Sequence, residues 1–394
     1  MVDQNKYLAY SYAGLCCTLI GIGLSRFAYT PILPLMISEH WLTSLQAGYL
    51  GAINFLGYLL GAILGRICIQ WLGSLRTIQY ALIACTMSFF LCMLSFGSFW
   101  LDFWRAVAGF GGALLMITAP TLIFPHVPPH LKGRVGGIIF SGVGIGIVIS
   151  GIVVPFTGLI GLRLTWFVVG FIALLALLFA WFNLPKVETH EQSKVQSLLA
   201  SLPEFKWPVI LLTIAYFFGA IGFTPHSLFL VACIQFYFHY SSIFGGLCWA
   251  LFGIGAVIGT ISFGFLADHL GVAKCFAGAY VLATALIACI LSTDNMIIIA
   301  ITSFLMGMLF LSTVSLAAAE LSQLVTHHAY SALWGVLIVS FAVGQTGTAY
   351  LISHLMQQSN GFILIFLLAL GTLFIAAVAA ISIVKCDGNA AKKF

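Results

Sequence analysis

Twelve apolar runs, each long enough to cross a hydrocarbon layer, follow one another along the whole chain. A bilayer core about 30 Å thick needs about 20 apolar residues per helix. Read between polar or Pro/Gly breaks, the runs lie near 8–36, 42–70, 75–96, 99–125, 132–160, 163–184, 208–238, 242–269, 273–292, 295–325, 328–357 and 360–384. Several exceed 25 residues, so tilted helices that extend past the lipid are expected. Composition agrees: of 394 residues 62% are hydrophobic and only 6% charged. A soluble domain carries about a quarter charged residues. A chain this apolar cannot cover itself with a wettable surface, and a soluble fold around one very large core is disfavoured. The expected class is an all-α polytopic membrane protein with 12 transmembrane helices.

The ten cysteines include adjacent Cys16 and Cys17, and most of the rest stand singly in apolar runs. They form no CxxC pattern. They read as small buried or lipid-facing side chains, so neither a metal nor a cofactor is expected. The first run lacks a small-residue cleavage site and reads as a helix that stays in the protein.

Basic residues set the orientation. With the N-terminus inside, the inner loops receive Lys6, Arg66, Arg76, Lys132, Arg134, Lys186, Lys194, Lys206, Lys274, Lys385, Lys392 and Lys393. The outer loops receive only Arg163, while Arg26 and Arg105 fall within spans. Twelve against one is a strong positive-inside bias. A bacterial-type inner membrane with both termini cytoplasmic is expected.

The longest polar stretch divides the runs six and six. It suggests an N-terminal six-helix bundle over 1–184, a cytoplasmic linker over 185–207 with a short amphipathic piece near 195–202, and a C-terminal bundle over 208–394. The halves echo each other. Gly61 and Gly259, Arg105 and Ser303, and Gly109 and Gly307 each stand 198 apart, and Thr30-Pro31 and Thr224-Pro225 stand 194 apart. Weak repetition at half the chain length is the mark of a carrier built from two parallel six-helix repeats, here expected as two pseudo-symmetric bundles.

Three stretches sharpen this. The 8–9 loop reads Gly264-Phe-Leu-Ala-Asp268-His-Leu-Gly271-Val-Ala-Lys274. It combines a Gly turn with an Asp at a helix end, placed to pair with a cation or a helix N-terminus. Its first-half counterpart keeps Gly61, Gly65, Arg66, Gly73 and Arg76 but has no Asp. Helix 4 reads Arg105-Ala-Val-Ala-Gly109-Phe-Gly111-Gly112-Ala113. Helix 1 carries Gly21-Ile-Gly23-Leu-Ser25-Arg26-Phe27-Ala-Tyr29-Thr30-Pro31-Ile-Leu-Pro34-Leu-Met36. Helix 5 has Gly142, Gly144, Gly146 and Gly151 without a Gly-Pro dipeptide, which reads as close helix packing.

The loop resembles the G-x-L-A-D-x-x-G-x-x-[RK] motif of the major facilitator superfamily, and helix 4 resembles that superfamily's R-x-x-x-G-x-G-x-A motif. Helix 1, helix 5 and Gly344-Gln345-Thr346-Gly347 in helix 11 resemble the YbfB/YjiJ-like group within it. The resemblance implies that Gly264, Asp268, Gly271 and Lys274 help to lock one face shut. The loss of the first-half Asp leaves the matching lock in doubt.

Buried ionisable groups are few. An arginine within a span is expensive and should face protein or a water-filled cavity. Arg26 and Arg105 are both expected in the outer half of the membrane. Asp102, one turn before Arg105, can neutralise one of them as a structural pair or through a role in proton coupling. The other invites an anionic substrate group, unless Arg26 bonds carbonyls freed by Pro31 and Pro34. His226 lies deep in helix 7 and can carry a proton or serve as a hydrogen-bonded structural residue. Tyr29, Asn54, Gln235, Trp334 and Gln345 are further cavity candidates, although each also suits helix packing. Glu320 reads as an interface or gate residue near the inner end of helix 10.

No phosphate-binding loop is present, which argues against an ATP-driven pump within this chain. The expected function is secondary, proton-coupled transport of a small, anionic organic solute by rocking one half against the other. Export of hydrophobic or cationic compounds by proton antiport is the alternative. A membrane enzyme would need clustered acidic or His residues at a membrane face, and a channel does not predict the repeat. The expected partners are a small-molecule substrate, protons and the lipid bilayer, with no nucleic acid, and the chain is expected to act as a monomer.

Overall fold

The computed structural model describes residues 4–128, 131–186, 206–358 and 361–391. Twelve helices long and apolar enough to cross a membrane are found among them. The expected linker and its amphipathic piece near 195–202 lie largely outside the described residues, as do Lys194, Lys392 and Lys393.

Helix α1 comprises an α-helical Gln4–Thr18, a π-helical Leu19–Leu24, a turn over 25–28 and an α-helical Tyr29–Ser38. Helices α2 to α6 are Ser44–Leu72, Ser74–Cys92, Ser98–Ile123, Lys132–Gly158 and Leu162–Asn183. Helix α7 comprises Trp207–Thr224, a π-helical Pro225–Phe229 and Leu230–Phe236. Helices α8 to α12 are Ser242–Leu270, Val272–Leu291, Met296–Leu324, His327–Leu355 and Gly361–Ala391. The chain alternates between a terminal face, which carries the starts of α1 and α7, and a distal face.

The apolar runs set these elements to within a few residues, and local chemistry sets their ends. Thr43 caps α2 in a capping box: its side chain accepts from Gln46 N, and the Gln46 side chain accepts from Thr43 N. Ser241 caps α8 by accepting from Phe244 N at 3.2 Å. Gly73 at φ 80° and Gly271 at φ 91° make the turns into α3 and α9, a backbone region that disfavours a side chain.

The internal repeat is structural as well as sequential. Helix α2 packs along α4, and α8 along α10. A Cβ on Gly109 would run into the carbonyl oxygen of Asn54, and a Cβ on Gly307 into that of Phe252. Backbones that close tolerate only glycine there. Positions 54 and 252 stand the same 198 residues apart as positions 109 and 307. In this register Gln70 falls opposite Asp268, and Arg76 opposite Lys274. The first-half turn therefore keeps its backbone form and its cation while losing its carboxylate.

Two apolar cores hold the molecule. One draws mainly on α1 to α6 and the other mainly on α7 to α12, although Ile22, Phe27, Val143 and Ile147 of the first half join the second core. Between the halves α5 packs along α8 and α2 along α11. Gly144 lies against Gly253 and Val257, and Gly151 against Gly246 and Ala250.

Helix α1 departs from the uninterrupted span expected over 8–36. Pro31 has no N–H and crowds the carbonyl four residues back, so the helix cannot run through Phe27 with regular bonding. The disturbance spreads upstream as a π-helical stretch that begins at Leu19, and Pro225 opens the matching stretch of α7.

Candidate functional site

The breaks in α1 and α7 bring their polar residues to the contact between halves. Arg26 sits in the α1 turn and is only 7% exposed. Its Nη2 donates to Oε1 of Gln345 on α11, which joins the halves at the centre. Its guanidinium carbon lies 4.2 Å from the Phe55 ring centroid, 5.3 Å from Tyr58 and 5.4 Å from Phe27. Such aromatic faces stabilise a desolvated cation by about 2 kcal/mol or more. Arg26 Nε and Gln345 Nε2 have no hydrogen-bond partner among the described residues. Among the described residues no carboxylate pairs with Arg26. The centre is thus a buried cation beside two unused N–H donor groups, an arrangement that suits an acceptor carrying negative charge.

Arg105 is differently engaged. Its Nη1 donates to the carbonyl oxygen of Ser25, in the α1 turn, and its guanidinium carbon stands 4.7 Å from the Tyr29 ring centroid. Arg105 therefore ties α4 to the broken part of α1. Tyr29 donates to the Ala47 carbonyl at 2.6 Å, and Asn54 Nδ2 donates to the Arg105 carbonyl at 3.0 Å. These three candidates lash α1, α2 and α4 together next to Arg26.

The expected neutralisation by Asp102 is corrected here. Asp102 lies one turn before Arg105 and is half-buried, yet no ion pair joins them among the described residues. The Arg105 side chain instead reaches across to the carbonyl left by the α1 turn. The idea that Arg26 bonds carbonyls freed by Pro31 and Pro34 is corrected likewise, because Arg105 does this at Ser25 while Arg26 crosses to α11.

His226 is fully buried in the π-helical stretch of α7. Neither ring nitrogen has a hydrogen-bond partner among the described residues, and the ring meets Phe366 edge-on at 5.4 Å. The neighbouring Ser227 carbonyl accepts from Thr30 Oγ1 at 2.6 Å, so the broken parts of α1 and α7 are joined across the halves. Glu320 is buried on α10, whereas Asp268 and Lys274 are exposed at the terminal face. In this conformation Asp268 has no hydrogen-bonded or ionic partner among the described residues. Gly264 and Gly271 have no neighbouring atoms where a Cβ would stand.

The distal face is closed. Tyr49 of α2 stacks on Tyr350 of α11, with ring centroids 5.1 Å apart, and its hydroxyl bonds His354 Nε2 at 2.7 Å. Trp249 Nε1 donates to Ser150 Oγ at 3.2 Å, and Phe27 enters an aromatic group with Trp249 at 6.1 Å and Phe310 at 5.8 Å. The sequence reading missed Tyr49, His354, Phe27 and Tyr58, because an aromatic residue in an apolar run reads equally as lipid-facing. The Arg26-Phe27 pair beside Pro31 was the available signal for a broken, functional segment.

Twelve spans in two repeated bundles, with a polar centre where α1 and α7 break, define a transporter of the major facilitator type. Solved structures agree on the fold. The chain superposes on a nucleoside transporter, NupG, with TM-score 0.78 and 13% identity, covering 96% of this chain and 100% of that one. It superposes on a D-xylose–proton symporter with TM-score 0.71 and 13% identity, covering 94% and 96%. A bacterial homologue of the human lysosomal transporter Spinster, inward-facing and unoccupied, matches with TM-score 0.69 and 16% identity, covering 98% and 96%. The sugar transporter ESL1 of Arabidopsis thaliana is 30% identical over 123 residues, 31% of this chain; the match spans a quarter of that protein's length. The chain belongs to the family described as uncharacterised MFS-type transporter YbfB, which it matches over residues 18–381.

Proposed function

We propose that this protein is a secondary transporter of a small organic anion, driven by protons and working by alternating access at the inner membrane. The observation that carries the reading is Arg26, a buried cation shared between halves through Gln345, with which no carboxylate pairs among the described residues. Burying a charge without a counter-ion is costly, and a bound carboxylate or phosphate relieves that cost. Arg26 and Gln345 are assigned to the substrate. Arg105, Tyr29 and Asn54 hold the α1 turn that presents them.

The twelve-to-one basic bias argues that the terminal face is cytoplasmic, so the closed distal face makes this an inward-facing arrangement. His226, buried with neither ring nitrogen hydrogen-bonded among the described residues, and half-buried Asp102 are the candidate proton carriers. Asp268, Lys274 and Glu320 are assigned to closing the terminal face in the opposite state, with Gly264 and Gly271 shaping the loop. The two bundles, 1–184 and 208–394, would move as the rocking bodies.

Purified protein in proteoliposomes tests this. Saturable counterflow of carboxylates is expected and should be lost in Arg26→Ala and sharply reduced in Arg26→Lys, because an ammonium lacks the planar fork. Removing a charge-assisted contact should weaken binding by about 1.5–3 kcal/mol. Export of hydrophobic or cationic compounds is the second reading, favoured by the aromatic rings around Arg26. Undiminished transport of a neutral or cationic compound by Arg26→Ala would establish it instead.

A further inference from the structure

Helix α11 carries more than Gln345 towards the centre. At 100° per residue, Tyr330, Trp334, Phe341 and Gln345 fall within one narrow stripe of its surface. The rings form a continuous wall with Tyr216 of α7. Tyr330 stacks on Trp334 with centroids 6.4 Å apart and planes 7° apart. Tyr216 lies 5.9 Å from Trp334 and 4.6 Å from Phe341. Tyr58 lies beside Arg26, its ring centroid 5.3 Å from the guanidinium carbon.

Tyr216 is buried in the second core at 3% exposure, and the three α11 rings pack against that core without being fully covered. Tyr330, Trp334 and Phe341 are half-buried, whereas Val343 and Tyr350 on the opposite side of the same helix are 46% and 55% exposed. The stripe thus faces the protein while keeping open surface, and it runs from the terminal face to the buried Arg26–Gln345 pair. At its inner end Arg26 Nε and Gln345 Nε2, on residues 7% and 1% exposed, have no hydrogen-bond partner among the described residues. Polar donors at one end of a flat apolar wall complement a ligand with a charged head and a planar body. Small aliphatic anions would leave the wall unmatched.

We infer that the substrate is an aromatic carboxylate, with its carboxylate on Arg26 and Gln345 and its ring against Phe341, Tyr216 and Trp334. This deepens, and rests on, the anion transport proposed above.

Three probes separate the two claims: 2-naphthylacetate, butyrate and 2-naphthylethanol, titrated into the full chain in lipid nanodiscs by calorimetry. Naphthylacetate should bind at least about tenfold more tightly than either of the others, consistent with a contact worth about 1.4 kcal/mol. Its ring protons should shift upfield in NMR spectra as they stack on the wall. Phe341→Leu keeps the apolar volume and removes the ring, and it should bring naphthylacetate about tenfold closer to butyrate. Arg26→Ala should abolish binding of both acids. Equal binding of butyrate and naphthylacetate, both lost in Arg26→Ala, would overturn the aromatic assignment and keep the anion reading. Equal binding of the acid and the alcohol, unaffected by Arg26→Ala, would sink both. Binding of none of the three at millimolar concentration also overturns the inference.

Discussion

Closure of the distal face can be undone by a single side chain. Gly48 of α2 lies against Ser353 of α11, and a Cβ there would stand 3.0 Å from the Ser353 Cα and closer still to its side chain. The collision exists only when the halves meet, so its cost should appear as a shift between states and not as unfolding. Overpacking costs about 1–3 kcal/mol. The contacts that hold this edge are of the same size: the Tyr49–Tyr350 stack contributes about 0.5–1.5 kcal/mol and the Tyr49–His354 hydrogen bond a similar amount. Gly48→Val should therefore move the closed-to-open ratio by roughly 5–150-fold.

Spin labels at Ser44 and Gln357, with the native cysteines replaced, would read this as a longer component in the distance distribution. Ser353→Gly removes the opposing side chain and should largely restore closure in the double variant, a coupling that a double-mutant cycle isolates. An unchanged distribution in folded Gly48→Val refutes the argument. So does a lengthening that Ser353→Gly fails to reverse.

Other consequences are open to measurement. A reporter fused after Phe394 should be active only in the cytoplasm, and periplasmic phosphatase activity would reverse the assigned orientation. Asp268→Asn should shift the equilibrium towards the inward-facing state by about 1–3 kcal/mol if Asp268 locks the opposite one, read from cysteine accessibility at both faces. Arg105→Gln should lower thermal stability in detergent, because the Ser25 carbonyl loses a charged donor worth about 1.5–3 kcal/mol. A wild-type melting temperature would remove Arg105 from its tying role. His226→Ala should uncouple transport from a proton gradient while leaving counterflow, and intact proton-driven accumulation would exclude His226 as the carrier.

The sequence revealed some features for a physical reason and hid others for equally physical ones. Span 8, expected over 242–269, folds as Ser242–Leu270, because the bilayer fixes how long an apolar run must be. The repeat showed through Gly109 and Gly307, since backbone contact admits no other residue. Asp102 misled because spacing along a helix shows which side chains share a face, not which way a long arginine will turn. Arg105 turned to α1, whose defect arises from Pro31 but is felt as far back as Leu19. The wall on α11 was half visible: Trp334 and Gln345 stood out, whereas Tyr330 and Phe341 resembled any ring in an apolar run.

The glycine contacts between α2 and α4, and between α8 and α10, have a mechanical consequence. Helices α2 and α8 also carry much of the boundary to the opposite half, against α11 and α5. Each boundary helix is therefore packed backbone against backbone on its own bundle and resists sliding or bending unless that bundle moves with it. Compliance is left to α1 and α7, where π-helical stretches loosen the regular hydrogen-bond ladder. The two pliant struts meet where Thr30 bonds the Ser227 carbonyl, one turn past Arg26, so a load applied by a ligand at Arg26 would be transmitted to whole bundles with little lost in local deformation.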